Sequence, residues 1–480
     1  MLNFRIIARF FSLGLIFEGL FMLLSAIVAF LYKEPSSILF SGIFTIVIGI
    51  LVYTPLRNEE KIYGNKEGYV IITGMWLLVT IFGTLPYLMT GAISNFTDAF
   101  FESMSGFTTT GATIMTSIES QSHGILFWRS LTQWTGGIGF IIISLSLLPV
   151  DKTLNIQLTL SEFTGQATDK IHPKTREATK RLVLIYTVLT LAEVILLKLS
   201  GISFFNAFCI AFSTMSTGGF SPTDYSLTYL GNPLALVILT FFMFLAGTNM
   251  TIIYFALKGN FKKILQNNEF KFYVIVVLSF VILGSFALWH GKIYQTGEAI
   301  LNGAFQIVSI ITTTGFYKTD YSAWSSLMTI VIFVLMFTGG TSGSASGSLK
   351  MARLCLATRN ARKELIRRIH PNAVVPVHFY HKVIPGHLIY NLLVFILIYF
   401  IIICISSLVI SFMGYDFVTS FSTSAALLGN IGHSFGSFGP FNTYSSVPAG
   451  GKWFFSFLMF LGRLELISVL ILLNRNFYRR

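Results

Sequence analysis

The sequence predicts an all-α polytopic membrane protein: an N-terminal transmembrane hairpin, then four helix–pore-loop–helix repeats around one pore. Three observations carry that expectation. The 480 residues are 54% hydrophobic and only 11% charged, where a soluble domain carries roughly 25% charged residues. Ten apolar stretches (10–32, 36–56, 69–93, 124–150, 182–200, 231–257, 272–290, 325–350, 383–413 and 451–474) each reach the length of about 18 residues needed to cross a bilayer. Between the later stretches, a short run of hydroxyl residues ending in glycine recurs.

The chain opens MLNFRIIARFFSLGLIFEGL, a basic flank before an apolar run with no A-x-A site after it. It is expected to persist as a first helix rather than act as a cleaved signal. Most lysines and arginines fall in six segments, Arg5–Arg9, Arg57–Lys66, Lys152–Arg181, Lys258–Lys271, Lys350–Lys382 and Arg475–Arg480. The positive-inside rule makes these cytoplasmic, with both termini on that side. The basic balance is thereby explained by membrane orientation, and nucleic acid is not expected as a partner. An even number of crossings must separate successive cytoplasmic segments. Each later unit therefore reads as helix, external re-entrant segment, helix, giving a hairpin at 1–66 and repeats at 67–181, 182–271, 272–382 and 383–480. Cys209, Cys355 and Cys404 lie in or beside apolar runs with no metal-ligand spacing.

The re-entrant segments share one plan. Gly111 in TTTGA, Gly219 in STGGF, Gly315 in TTTGF and Gly432 in GNIGH can be set in one register. Thirteen residues before each stands a residue able to cap a helix, Asp98, Asn206, Asn302 and Thr419. The intervening residues suffice for a helix spanning about half a bilayer. Non-helical backbone at membrane depth is tolerated only where protein buries it or water lines it. Four such segments around an axis would turn carbonyls inward, with hydroxyls that hold a cation without fixing it. Glycine permits the backbone angles this needs. The residues expected to line the ring are Thr109, Thr110, Gly111, Thr217, Gly218, Gly219, Thr313, Thr314, Gly315, Asn430, Ile431 and Gly432.

With these motifs the chain resembles the Trk/Ktr/HKT superfamily of potassium transporters, and its extra N-terminal hairpin resembles the TrkH branch. The resemblance spans the whole chain. It implies one selectivity filter built from four non-identical repeats, potassium as the transported ion, a homodimer in the cytoplasmic (inner) membrane, and a cytosolic TrkA-like nucleotide-binding regulatory ring. A glycine in all four repeats goes with potassium preference in that family. One position departs: where the family commonly has Gly-Asn-x-Gly-Pro, this chain has His433 after Gly432. Two readings are open for His433, a pH-sensitive element beside the filter and a loop histidine facing water.

Two features lie deeper. The run Gly339, Gly340, Thr341, Ser342, Gly343, Ser344, Ala345, Ser346, Gly347, Ser348 interrupts an apolar stretch and is too glycine-rich to stay helical. It reads as a gate beneath the filter, and the family resemblance implies the same. Arg463 sits mid-helix in FLGRLELISVL, where a charge costs roughly 2.5–3.5 kcal/mol. It should face the pore or a partner, and Glu465 points to another side of the helix. The resemblance also implies an arginine near the pore at this place. Glu18 reads as a buried hydrogen-bonder between helices. Asp224 and Asp320, five residues past their glycines, either ring the mouth or cap turns. The basic stretch 350–382 suits a cytosolic partner or anionic membrane lipids equally.

No His-Glu-x-x-His, G-x-S-x-G or Walker motif occurs, so an enzyme is not expected, nor an organic cofactor. The expected function is potassium uptake through a four-repeat filter gated by an intramembrane loop. The competing expectation is a sodium-permeable or sodium/proton-coupled cation transporter of the same fold.

Overall fold

The computed structural model describes residues 2–35, 37–58, 64–146, 173–373, 375–379 and 382–478. The described residues are helical apart from loops and one short antiparallel ribbon, His378–Phe379 with Lys382–Val383. The cytoplasmic segment expected at 152–181 lies partly outside the described residues.

The N-terminal hairpin pairs helices Phe4–Leu31 and Ser37–Leu56. Small residues let the two backbones meet: a Cβ on Gly19 would lie 2.9 Å from the Gly42 carbonyl, and one on Gly42 3.2 Å from that of Gly19. Such close approach is how helices associate where lipid offers no hydrophobic drive. The hairpin is tied to the first repeat at its connecting turn. Glu34 accepts from the N–H groups of His123 and Gly124 at 2.6 and 2.9 Å, capping the helix that begins there. The His123 ring contacts the same carboxylate at 2.8 Å and stacks on Tyr32 at 3.8 Å. Glu34→Ala should destabilise the fold by about 1 kcal/mol, the usual worth of a cap. Thermal unfolding in detergent checks this, and an unchanged midpoint would mean the turn holds without it.

Of the ten apolar stretches, six are helical spans of crossing length: Phe4–Leu31, Ser37–Leu56, Lys66–Thr90 (with a turn at Gly83 and Thr84), Thr179–Leu199, Asn268–His290 and Gly386–Phe412. A seventh, His123–Ser146, runs to the edge of the described residues. The other three depart from a straight span. Pro233–Ala246 and Met250–Leu257 meet at 110°, and Ala449–Arg463 and Ile467–Leu473 at 117°. The third, Ser326–Leu335, stops and gives way to the glycine-rich loop before Met351–Ile369 resumes.

Each break has a local cause. At the first, Asn249 caps the second helix through Thr251 N–H at 2.8 Å, and the Gly247 carbonyl is taken by Thr341 N–H at 2.9 Å. At the second, Glu465 and Leu466 both adopt left-handed angles, φ +55° and +53°, which no helix can continue through.

The four half-helices are Phe96–Phe107, Phe204–Met215, Thr296–Ile311 and Phe417–Leu428. Their caps are not the residues expected. Asn95, Ser203, Gln295 and Asp416 hold the cap positions, with side-chain bonds from Asn95 to Thr97 N–H and from Ser203 to Asn206 N–H. Asp98, Asn206 and Thr419 lie in the first turn, and Asn302 is buried mid-helix. Short polar residues suit the cap and the first turn alike, so residue type alone could not fix the boundary.

Candidate functional site

All four half-helices end in the same hydrogen-bonded turn. The N–H groups of Thr109, Thr217, Thr313 and Asn430 bond back to the carbonyls of Gly106, Thr214, Ile310 and Leu427 at 2.9, 2.9, 3.0 and 3.2 Å. The next N–H groups, of Thr110, Gly218, Thr314 and Ile431, reach Ser105, Ser213, Ser309 and Ala426 at 2.9, 2.8, 2.8 and 2.8 Å. This pair of bonds is a Schellman motif, whose first residue past the cap is left-handed. Accordingly Thr109, Thr217, Thr313 and Asn430 have φ of +53°, +55°, +57° and +54°. The glycines two residues on are positive again, at +83°, +79°, +77° and +92° for Gly111, Gly219, Gly315 and Gly432. Alternating handedness turns successive carbonyls to one side of the strand.

The glycines also need their missing side chain. A Cβ on Gly111 would strike the Gly218 carbonyl oxygen; one on Gly219 would strike Thr314, one on Gly315 would strike Ile431, and one on Gly432 would strike Thr110. Each repeat presses on the next and the fourth closes on the first. Eight of the sequence-expected residues, Thr110, Gly111, Gly218, Gly219, Thr314, Gly315, Ile431 and Gly432, therefore meet across the seams of one ring. Its seams are bonded: Asn430 Nδ2 donates to Thr110 Oγ1 at 3.0 Å and to the Met459 carbonyl at 2.9 Å, and Tyr444 donates to the Gly432 carbonyl at 2.7 Å.

Outside the ring, the two aspartates cap backbone. Asp224 accepts from Ile118 and Glu119 N–H, and Asp320 from Ser322 N–H at 2.9 Å. His433 does not face water: it is 7% exposed and packs edge-on to Tyr317 at 4.8 Å. Glu18 is buried, yet neither carboxylate oxygen has a hydrogen-bond partner among the described residues, contrary to its expected bridging role.

Beneath the ring, Gly339–Ser348 is non-helical and buried except at Gly343 and Ser348. Its polar groups are held from several directions. Gly347 N–H donates to Thr313 Oγ1 at 2.7 Å, directly under the third repeat's turn. Asn249 Nδ2 donates to the Ser342 carbonyl at 2.6 Å, and Glu269 accepts from Ser342 N–H at 2.5 Å and Ala352 N–H at 3.0 Å. Gly340 N–H donates to Ser346 Oγ, Ser344 Oγ to the Thr341 carbonyl, and Lys350 Nζ to the Ser344 and Ser346 carbonyls.

Arg463, 2% exposed, donates to the Ala345 carbonyl at 2.6 Å and to the Gly136 carbonyl at 3.0 Å. It thus joins this loop to the inner helix of the first repeat. Glu465 pairs instead with Arg353 at 2.5 Å. Nothing in the local sequence of either helix signals those partners, which come from distant parts of the chain.

Four half-helices converging on one glycine-lined ring, beside a buried glycine-rich loop and among helices long and apolar enough to cross a membrane, define a membrane transport protein rather than an enzyme. The family model described as "Cation transport protein" matches residues 35–477, and the chain belongs to that family, TrkH. The Trk system potassium uptake protein TrkH of Salmonella typhimurium is 32% identical over the full length of both chains, and its namesake from Halomonas elongata is 31% identical over the same share. The Trk system potassium uptake protein TrkG of Escherichia coli is 30% identical over 96% of each chain. The crystal structure of the potassium transporter TrkH from Vibrio parahaemolyticus superposes with a TM-score of 0.91 at 30% identity, covering 99% of this chain and 100% of that one.

Proposed function

We propose that this chain carries potassium across the cytoplasmic membrane, with the ring of Gly111, Gly219, Gly315 and Gly432 as its selectivity filter. The observation that carries the reading is the closed contact ring, with the same turn repeated at each member. Relatives named as potassium uptake proteins along the whole chain support the ion. Backbone carbonyls arranged this way replace an ion's hydration shell and release it without a fixed charge to hold it back. Glycine in all four repeats is the pattern that the family resemblance ties to potassium preference, and it supports potassium over a sodium-permeable reading. The charge distribution supports cytoplasmic termini. The basic helix Met351–Ile369 suits a TrkA-like cytosolic ring acting on a homodimer, beside anionic lipids.

Flux into liposomes holding only this chain tests the reading. Potassium uptake should exceed sodium uptake, and equal uptake of the two would overturn it. Repeating the measurement with an imposed proton gradient separates a channel from a coupled carrier.

In this reading Gly339–Ser348 is the gate and Arg463 its latch. Arg463→Gln removes charge-assisted bonds worth about 1.5–3 kcal/mol each. Loss of even one such bond shifts the loop's equilibrium by roughly tenfold. Potassium flux should rise accordingly; parental flux in a folded variant would remove the arginine from gating.

A further inference from the structure

Behind the ring, at the seam of the first and second repeats, lies the most buried ion pair among the described residues. Arg129 Nε donates to Glu102 Oε1 at 2.6 Å, with 2% and 0% of the two side chains exposed. Glu102 is on the first half-helix and Arg129 on the helix His123–Ser146 that follows it.

Each partner also holds a different repeat. The Glu102 carboxylate accepts from Thr113 Oγ1 at 3.0 Å and Ile114 N–H at 2.9 Å, just past Gly111. Arg129 donates to the Ser221 carbonyl at 3.0 Å and lies 3.8 Å over the Phe220 ring, just past Gly219. One turn along the same helix face, Gln133 donates to the Gly218 carbonyl at 2.6 Å and accepts from Phe220 N–H at 3.1 Å. Gly218 is the residue whose carbonyl abuts Gly111.

The arrangement is peculiar to this seam. At the register of Glu102, nine residues before the glycine, the other half-helices carry Ile210, Gln306 and Thr423, none charged. Two desolvated charges cost more than a packed apolar pair of similar volume. What they supply here is geometry, because a planar guanidinium fixes donors in set directions, and the carboxylate ties that guanidinium to the strand after Gly111. The ring itself is made of flexible, glycine-containing backbone, whereas selective sites must be held to within about half an ångström by the shell behind them.

We propose that Glu102, Arg129 and Gln133 form a brace that sets the width of the ring at the first seam, and that they are specificity-determining positioning residues for ion discrimination. The brace rests on the ring being the filter. It touches no ion; it acts through the Gly218 carbonyl and the strands after Gly111 and Gly219.

The test is the ratio of potassium to sodium flux in liposomes containing the full chain, at equal reconstituted protein. Arg129→Lys keeps the charge and loses the fork. Glu102→Gln keeps the volume and loses the ion pair. Each should lower the ratio by about tenfold, the lower end of what loss of a supporting partner does at ion sites. Ile210→Val, at the matching depth of the second half-helix, should leave the ratio alone. Gly432→Ser serves as the reference for the ring.

If Gly432→Ser lowers the ratio while Arg129→Lys and Glu102→Gln hold the parental value, the brace is overturned and the filter stands. If Gly432→Ser holds it too, the filter reading itself falls. Should neither charged-site variant be recovered folded, Gln133→Met decides. It leaves the ion pair intact and frees only the Gly218 carbonyl and Phe220 N–H, so a parental ratio there ends the proposal.

Discussion

Gly432→Ser should cut the preference for potassium over sodium by about tenfold or more. Two physical terms add. The residue has φ +92°, a region that costs a side-chain-bearing residue about 1–2 kcal/mol. Its new Cβ would also strike the Thr110 carbonyl oxygen across the seam with the first repeat. In the proposed filter, a carbonyl forced aside would no longer face the ion. Since 1.4 kcal/mol is about tenfold, either term alone would be measurable.

Gly201→Ser separates the two terms. Gly201 has φ +98° but nothing within 4 Å of its Cβ position, so it carries the strain without the crowding. It should lose some stability and keep its selectivity. The pair is measured by flux of each ion in liposomes. Parental selectivity in Gly432→Ser would sink the four-repeat filter, and matching losses in both variants would assign the effect to global strain instead.

Deleting Ser342–Ser346 should raise potassium flux on the order of tenfold and make it independent of any cytosolic partner, given about 1.5–3 kcal/mol per hydrogen bond to a charged group. The deletion removes the carbonyl that Arg463 grips, the Ser342 groups held by Asn249 and Glu269, and the Ser346 oxygens that take Lys350. These contacts bring residues of the second and fourth repeats, and of Glu269 at the start of Asn268–His290, onto one segment. The loop is therefore held by bonds that can be broken one at a time, not by a buried apolar face. Glycine at these positions lets the freed segment take new angles without strain. A folded deletion variant that conducts no faster than its parent would make the loop a packing element.

The sequence was most informative where local chemistry leaves a trace along the chain. Apolar length marks crossings, so the six helices of crossing length and the two bent pairs all fall on apolar stretches legible in the sequence. Glycine and hydroxyl residues mark backbone that cannot stay helical, so the four ring glycines could be set in register and the loop at 339–348 picked out by its glycine content. The bends at 247–249 and 464–466 were not visible, because Thr248, Asn249, Leu464, Glu465 and Leu466 do not interrupt an apolar run strongly enough. Three of the half-helix caps were misplaced by about a turn, since Asp, Asn and Thr serve equally at the cap and just inside it, and that of the third half-helix by about two turns, Asn302 standing for Gln295.

What the sequence by itself determined, then, is the membrane class, the repeated plan and the identity of the backbone that must leave the helix. Those follow from hydrophobicity and glycine content, which act residue by residue. Only the tertiary structure decided which groups satisfy that backbone: Thr110 beside Gly432, Gln133 on Gly218, Arg129 on Ser221 while paired with Glu102, and Arg463 on Ala345. Each of these joins residues far apart in the chain. A buried donor must find an acceptor wherever the fold brings one, and no local pattern of residues records that choice.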